Sequence, residues 1–568
     1  MIDYRISLYQ ASRHRIQVHV TLPTPDNETI LRIAAWRPGR YEEGNFSRLI
    51  SSLQAHQGTQ RLSAQKISKN EWLVNTSHVD EIHVSYLYYG AELTAGNTYL
   101  DEKILLINPV NLLIYSDYIV NEEINLSIQI PSNWSLAGLE HKPDGRALFT
   151  GLDEAFDTPI LASPSLTSYS YNISDYRFYI HSVGSHGIPS ERLVNDFKQF
   201  TEKQVQAFGE FPTATFSFLL IGVNETYLHG VEHLNSTVIV LGPVEDWATK
   251  RYESLLAVSS HELYHVWNVK TIRPLEMLPY RFNNPTYSRL GYVYEGITTF
   301  FGDYYLLTSG LITSERYLQL LEAQIQTHAD NVGRFNYSLA DSSIDTWVDG
   351  YVKGTPGRKV SIYNEGSLMA FILDAKIREA TNHKGTLQHL MNRLFYEFGL
   401  KQKGYTESDL LQLLKAISGI DFGGTFDQYI HAANGYESLL QEACSFYGME
   451  LQQEVPAELH NALLGIKILT KSEKTFITDI APGSPAEVGG LSEGDVIVSI
   501  NDHVITNNIS EVLASCAHEV LKLVIRRRGE NIEKTLPLVQ RTFYPAMKLI
   551  MKETDQHQIK KNRQHFGM

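Results

Sequence analysis

At 568 residues the chain is long enough for three or four domains of roughly 150 residues each. Its 49 Lys and Arg against 64 Asp and Glu leave a formal charge of −15, which argues against a nucleic-acid grip or an anionic membrane surface as the main partner, since both need a basic face. Hydrophobic residues at 43% and charged residues at 20% are ordinary for a globular protein, and no run approaches the about 18 apolar residues of a membrane span.

The opening Met1-Ile2-Asp3-Tyr4-Arg5-Ile6 has no basic stretch leading into an apolar one, so a cytoplasmic protein is expected. Residues 1–168 read as a β domain. Ile16-Gln17-Val18-His19-Val20-Thr21-Leu22 and Ile82-His83-Val84-Ser85-Tyr86 alternate with period two, and turn clusters such as Pro23-Thr24-Pro25-Asp26-Asn27 and Arg37-Pro38-Gly39 separate the runs, which suggests a sandwich. Residues 169–455 change character. After strands such as Phe216–Ile221, helical spacing of apolar residues predicts helices over Arg251–Lys270, Leu368–Glu379 and around Leu410–Ile417. Residues 456–545 form a short, strand-rich third unit, and 546–568, with Lys548, Lys552, Lys560, Lys561 and Arg563, reads as a basic tail, either a solvated helix or a frayed end. The fold class is therefore multidomain α+β. Two cysteines, Cys444 and Cys516, are too few for a disulfide framework or a Cys-type zinc site and are expected as free thiols.

The strongest chemical signal is His261-Glu262-Leu263-Tyr264-His265 within a helical pattern. On a helix the two imidazoles lie about 40° apart, one turn apart in height, where both can reach one zinc ion. Glu262, about 100° from His261, is better placed to reach a water beside the metal than the metal itself. A catalytic zinc needs a third protein ligand and an open position. Glu295 stands 30 residues after His265 in the first turns of a second, otherwise apolar helix expected over Gly291–Asp303, where a carboxylate must be paired or ligated. Asp303 and Asn268 are candidates to accept a hydrogen bond from a ligand histidine.

These residues, with Val266-Trp267-Asn268-Val269-Lys270 and Tyr294-Glu295-Gly296-Ile297-Thr298, resemble the gluzincin metallopeptidases, most closely the glycyl-aminopeptidase family with its H-E-x-x-H-x-W-N-x-K and E-G-x-T motifs. The resemblance implies a β-sandwich N-terminal domain, a thermolysin-like, mainly α catalytic domain and a C-terminal PDZ domain, in that order. It also implies one catalytic Zn2+ held by His261, His265 and Glu295. Gly230-Val231-Glu232-His233 is similar to the family's G-G-x-E-H, with His229 in place of the first Gly, and implies that Glu232 binds the substrate's free α-ammonium group. Ser361-Ile362-Tyr363-Asn364-Glu365-Gly366 resembles S-Y-Y-x-K-G, with Glu365 in place of Lys, and implies Tyr363 as oxyanion donor, Tyr351 being its nearest rival.

Gly483-Ser484-Pro485-Ala486 through Gly494-Asp495-Val496-Ile497 to Ile500-Asn501 matches PDZ domains, in which the backbone at Leu464, Gly465 and Ile466 would cradle a peptide's C-terminal carboxylate.

The expectation is a zinc-dependent aminopeptidase in which Glu262 is the general base, with the preference for small N-terminal residues (Gly, Ala) that the resemblance implies. Two other readings use the same residues: a zinc endopeptidase in which Glu232 is structural, and a PDZ-mediated peptide-binding protein with a silent peptidase fold. The expected partners are peptides, at the active site and at the PDZ domain, with neither nucleic acid nor membrane; homo-oligomerisation is left open.

Overall fold

Alternating apolar residues build the first sheet. In Arg15–Pro23 the side chains of Ile16, Val18, Val20 and Leu22 are all buried, and in register they face Tyr88, Tyr86, Val84 and Ile82 of Glu81–Tyr89. A computed structural model describes residues 2–76, 80–139, 146–184, 186–516, 520–539, 541–553 and 555–568, the side chain of Cys516 lying outside the description. The first sheet has seven strands, with Ile2–Gln10 paired parallel to Ile124–Gln129 and antiparallel to Arg15–Pro23. A three-stranded sheet (Glu28–Arg32, Glu71–Asn75, Ala64–Ser68) and a four-stranded one accompany it, and their apolar faces share one core.

The second unit opens with a five-stranded sheet in which Tyr176–Val183, Thr215–Gly222 and Ser236–Gly242 run parallel. Tyr227–Glu232 lies antiparallel at its edge. Helices follow, among them Tyr252–Tyr264, Thr298–Thr308, Ile362–Thr381 and Glu407–Ser418.

Two of the expected helices are cut differently. The helix expected over 251–270 ends at Tyr264. Beyond it Trp267 stacks on Phe208, and its Nε1 donates to Glu210 O at 3.0 Å. The fully buried Asn268 donates to Val293 O and Thr298 Oγ1. These tertiary bonds turn the chain away from the helix axis, and Val269 takes a positive φ of 107°. The apolar stretch around Glu295 is a π-helix, Tyr292–Ile297, continuing into Thr298–Thr308. Gly296 there lies against Gly366 of Ile362–Thr381 so closely that any side chain on either would meet backbone.

The third unit packs its own core, including Ile466, Ile477, Leu513, Leu521 and Ile525, between the sheet running from Ile466–Lys471 to Glu530–Pro537 and the helix Ile509–Cys516. The segment 546–568 does contain a helix, but the expectation that it is solvated or frayed is overturned. Ala546–Met551 pairs antiparallel with Met449–Glu454, and His557–Phe566 packs as a helix on the second unit. Its basic groups have partners: Lys552 meets Glu450 at 2.6 Å, Lys548 meets Glu322 at 3.0 Å, and Arg563 donates to Tyr447 O at 2.8 Å. Phe566 is 0% exposed, against Tyr304, Tyr317 and Tyr447. Among the described residues no helix is long and apolar enough to cross a membrane.

Phe566→Ala should therefore cost about 3–5 kcal/mol of unfolding free energy, the loss typical of a buried aromatic. Equilibrium denaturation of the full chain checks this; a solvated tail would give no change.

Candidate metal centre and active site

The helix Tyr252–Tyr264 presents His261 within its last turn and His265 as its C-cap residue. It is brought close to the following helix by Gly302, whose missing side chain leaves room for the His261 backbone. The π-helix delivers Glu295 to the same point. His261 Nε2 and His265 Nε2 are 3.0 Å apart, and Glu295 Oε2 lies 3.3 Å from His265 Nε2 and 3.7 Å from His261 Nε2. Donors held at about 2.0–2.1 Å around a tetrahedral zinc are separated by about 3.3–3.4 Å, so this triangle has the size the ion demands.

The chemistry of the donors agrees. His265 Nδ1 is 2.8 Å from Asn268 O, a carbonyl that can only accept, so Nδ1 carries a proton and Nε2 is the ring nitrogen turned toward the other donors. Burial alone would depress the pKa of His265, yet the surrounding Glu295, Glu232 and Glu262 overcome it and lift the value to about 10. Burial pushes Glu295 upward, and the two imidazoles bring it down to about 2. A buried group of three carboxylates this close together calls for a cation. The residues present fit zinc.

Glu262 is 6% exposed and its Oε2 has no hydrogen-bond partner. Burial raises its pKa well above the carboxylate range; His265 opposes this, while Glu232 and Glu295 add to it. Gly230 explains how the edge strand passes so near: a Cβ there would fall on the Glu262 carboxylate. The close approach expected of a glycine pair is thus made at Gly230 alone. His229 lines the same cavity and is held neutral, its pKa lowered to about 3 by burial and by Arg37 and Arg40.

Glu232, 4% exposed, also has an unpartnered oxygen, Oε1, while its Oε2 lies against Gly39, whose φ of 78° suits a residue without a side chain. Donor atoms of Glu232, Glu262 and His265 lie within 4.8 Å of one another. Tyr363, near the start of Ile362–Thr381, and Tyr351 face each other with hydroxyls 3.3 Å apart, and both line the cavity of about 330 Å3 that holds the metal donors. Glu365 points elsewhere. It is buried against His328 Nδ1 at 2.6 Å and accepts from Tyr436, which accounts for an acid in a place where the resemblance has Lys.

Asp303 does not reach either imidazole. It faces a small cavity beside Tyr317, Gln324 and Ser367, where burial, with Glu253 adding, raises its pKa to about 7. Asn268 does accept from His265, through its backbone carbonyl and not its side chain.

Two contributions from the first unit escaped the sequence reading. Tyr41 OH donates to Glu295 Oε1 at 2.6 Å. Asp157 makes three contacts on two segments: Lys270 Nζ at 2.7 Å, and His233 Nδ1 at 3.1 Å with the Leu234 amide at 2.9 Å. In sequence the one signal for either was the Arg37-Pro38-Gly39 turn four residues before Tyr41.

In the third unit Leu464 and Ile466 are fully buried and Gly465 turns with a φ of 68°, its carbonyl accepting from Ala481 N at 2.8 Å. Ile466–Lys471 is an edge strand, paired among the described residues to Lys474–Ile480 alone.

Residues 254–369 match the model of the M61 glycyl aminopeptidases, residues 3–164 that of the peptidase M61 N-terminal domain, and residues 476–527 that of a PDZ domain. The crystal structure of an aminopeptidase N family protein from Idiomarina loihiensis superposes with a TM-score of 0.91 at 26% identity, over 98% of this chain and 99% of that one. The chain carries an M61 glycyl aminopeptidase domain behind an M61 N-terminal domain, and is a zinc metallopeptidase of the aminopeptidase type. Its C-terminal PDZ domain completes the expected order of parts. Curated relatives are matched only locally: the serine protease HTRA1B of Danio rerio is 43% identical over 61 residues, 11% of this chain and 13% of that protein, and HTRA1 of Xenopus laevis is 43% identical over 58 residues, 10% and 12%.

Removing the hydrogen bond from Tyr41 should loosen the centre from outside the donor set. Tyr41→Phe is expected to weaken zinc affinity by about tenfold or more, as measured by competition with a chromogenic chelator.

Proposed function

We propose that the protein is a zinc-dependent aminopeptidase that hydrolyses the N-terminal peptide bond of peptides, with one zinc held by His261, His265 and Glu295. The observation that carries this reading is the position of Glu232. An amino acid's nitrogen and its own carbonyl carbon are about 2.5 Å apart. A buried carboxylate within 4.8 Å of the His265 donor can therefore hold a free ammonium group while that same residue's carbonyl lies at the metal. The unpartnered Oε1 of Glu232 supplies the acceptor.

When bound, zinc supplies a Lewis acid that polarises the scissile carbonyl and acidifies water. Glu262 accepts a proton from the attacking water at its unpaired Oε2 and passes it to the departing amine. Tyr363 OH donates to the oxygen that gains negative charge as the carbonyl carbon becomes tetrahedral, and Tyr351 steadies that hydroxyl from 3.3 Å. Gly230, without a side chain, brings the edge strand, along which the substrate backbone would lie, up against Glu262. A preference for Gly is supported by the matched family's description as glycyl aminopeptidases, and its extension to Ala by the resemblance alone. The PDZ domain is read as a second peptide site: a C-terminal carboxylate at the turn Leu464-Gly465-Ile466 and strand addition along Ile466–Lys471.

Glu262→Gln should keep zinc, by metal analysis, while lowering kcat for a glycyl anilide by about 10²–10⁴-fold. Retained turnover would remove Glu262 from the reaction. Glu232→Ala should reduce kcat/KM for free-amine substrates by about tenfold or more and leave N-acetylated peptides as poor as before. Equal losses on free and blocked peptides would instead mark an endopeptidase.

A further inference from the structure

Arg37 is a buried cation for which the aminopeptidase reading has no use. It is 5% exposed. Its guanidinium makes one hydrogen bond, from NH1 to Pro38 O at 3.3 Å, and among the described residues no carboxylate lies within 4 Å of it. The other two arginines of the same cavity are occupied, Arg40 by Glu42 and Arg48 by Glu92 at 3.7 Å. Arg37 is thus the positive charge left over in a pocket of about 180 Å3. Burial lowers its pKa to about 10, with Arg40 adding, so it is charged at neutral pH.

The pocket is built around this group. Gly96 lies flat on the guanidinium, where a Cβ would fall on Cζ. The pocket also adjoins the metal-site cavity, Arg40 and Tyr227 lining both. Tyr227 stands five residues before Glu232 on the edge strand, about 16 Å at the rise of an extended chain. A substrate whose amine sits at Glu232 can therefore reach the pocket within two to five residues. The free donors of a guanidinium are spaced to take a carboxylate in a two-pronged bond.

We propose that Arg37 anchors a carboxylate of the substrate, so that the enzyme favours short peptides whose C-terminal carboxylate, or an acidic side chain near the N-terminus, falls in this pocket. The inference rests on the aminopeptidase reading for its polarity. The competing role for Arg37 is to balance Glu232 and Glu262 from a distance. A balancing charge acts on every substrate alike, whereas an anchor acts only on those that carry the anion.

The test is calorimetric binding to the full-length, zinc-loaded Glu262→Gln protein of glycine peptides two to five residues long, as free acids and as C-terminal amides. A parallel set of amides carries Glu at successive positions. The free acid should bind about tenfold tighter than its amide at one length, the effect of a charge-assisted bond. Adding Arg37→Gln should bring that ratio to unity, and Arg37→Lys should keep part of it. If Arg37→Gln does not fold, Gly96→Ala, which displaces the guanidinium by contact, is read in its place. Preference for the Glu-containing amides over the free acids assigns the anion to a side chain. Equal binding of acid, amide and Glu-containing peptides at every length, or a preference that survives both substitutions, overturns the proposal. Hydrolysis of a glycyl anilide, which carries no carboxylate, reports separately on the aminopeptidase reading.

Discussion

Three carboxylates, Glu232, Glu262 and Glu295, are buried together around two imidazoles, and the protein's interior is organised by the need to make that tolerable. Mutual repulsion and lost hydration would drive such acids to protonate or separate unless a cation sat among them. The donor triangle of 3.0, 3.3 and 3.7 Å fits a tetrahedral divalent ion. The glycines belong to the same requirement. Gly230 admits Glu262 beneath the edge strand, Gly39 admits Glu232 beneath its loop, and the Gly296–Gly366 crossing lets the π-helix seat Glu295.

The centre is also a joint between units. Tyr41 and Gly39 come from the β-rich first unit, and so does Asp157, which Lys270 and His233 hold ionised, well below the usual carboxylate range in spite of burial. Through Asp157 the segment after the zinc-binding helix and the segment after Glu232 share one anchor. Displacing the first unit would therefore disturb both Glu232 and the geometry beyond His265, although among the described residues it contributes none of the three candidate metal donors.

What could be read from the sequence was what local spacing encodes. The pairing of His261 with His265, the offset of Glu262 and the oddity of Glu295 on an apolar stretch all follow from helical periodicity. The early stop of the helix at Tyr264 does not, because Trp267 and Asn268 find their partners at Glu210, Val293 and Thr298, far away in the chain. The π-helix depends on a glycine crossing with a segment 70 residues later, which no single window displays. Tyr41 lies more than 200 residues before Glu295, the acid it holds. The C-terminal segment misled because its charges were counted as solvated, when one phenylalanine and a set of matching acids and carbonyls bind it to the core.

The pairing of Met449–Glu454 with Ala546–Met551 means that the chain leaves for the PDZ domain and comes back at the same doorway. That domain is inserted, not appended. Both its connections are clamped in one two-stranded ribbon, so it cannot swing freely as a lone terminal module does on a linker. Any motion it makes must hinge at that ribbon. Beside that ribbon, Lys353, in the loop that carries Tyr351, meets Asp479 of the insert at 3.0 Å.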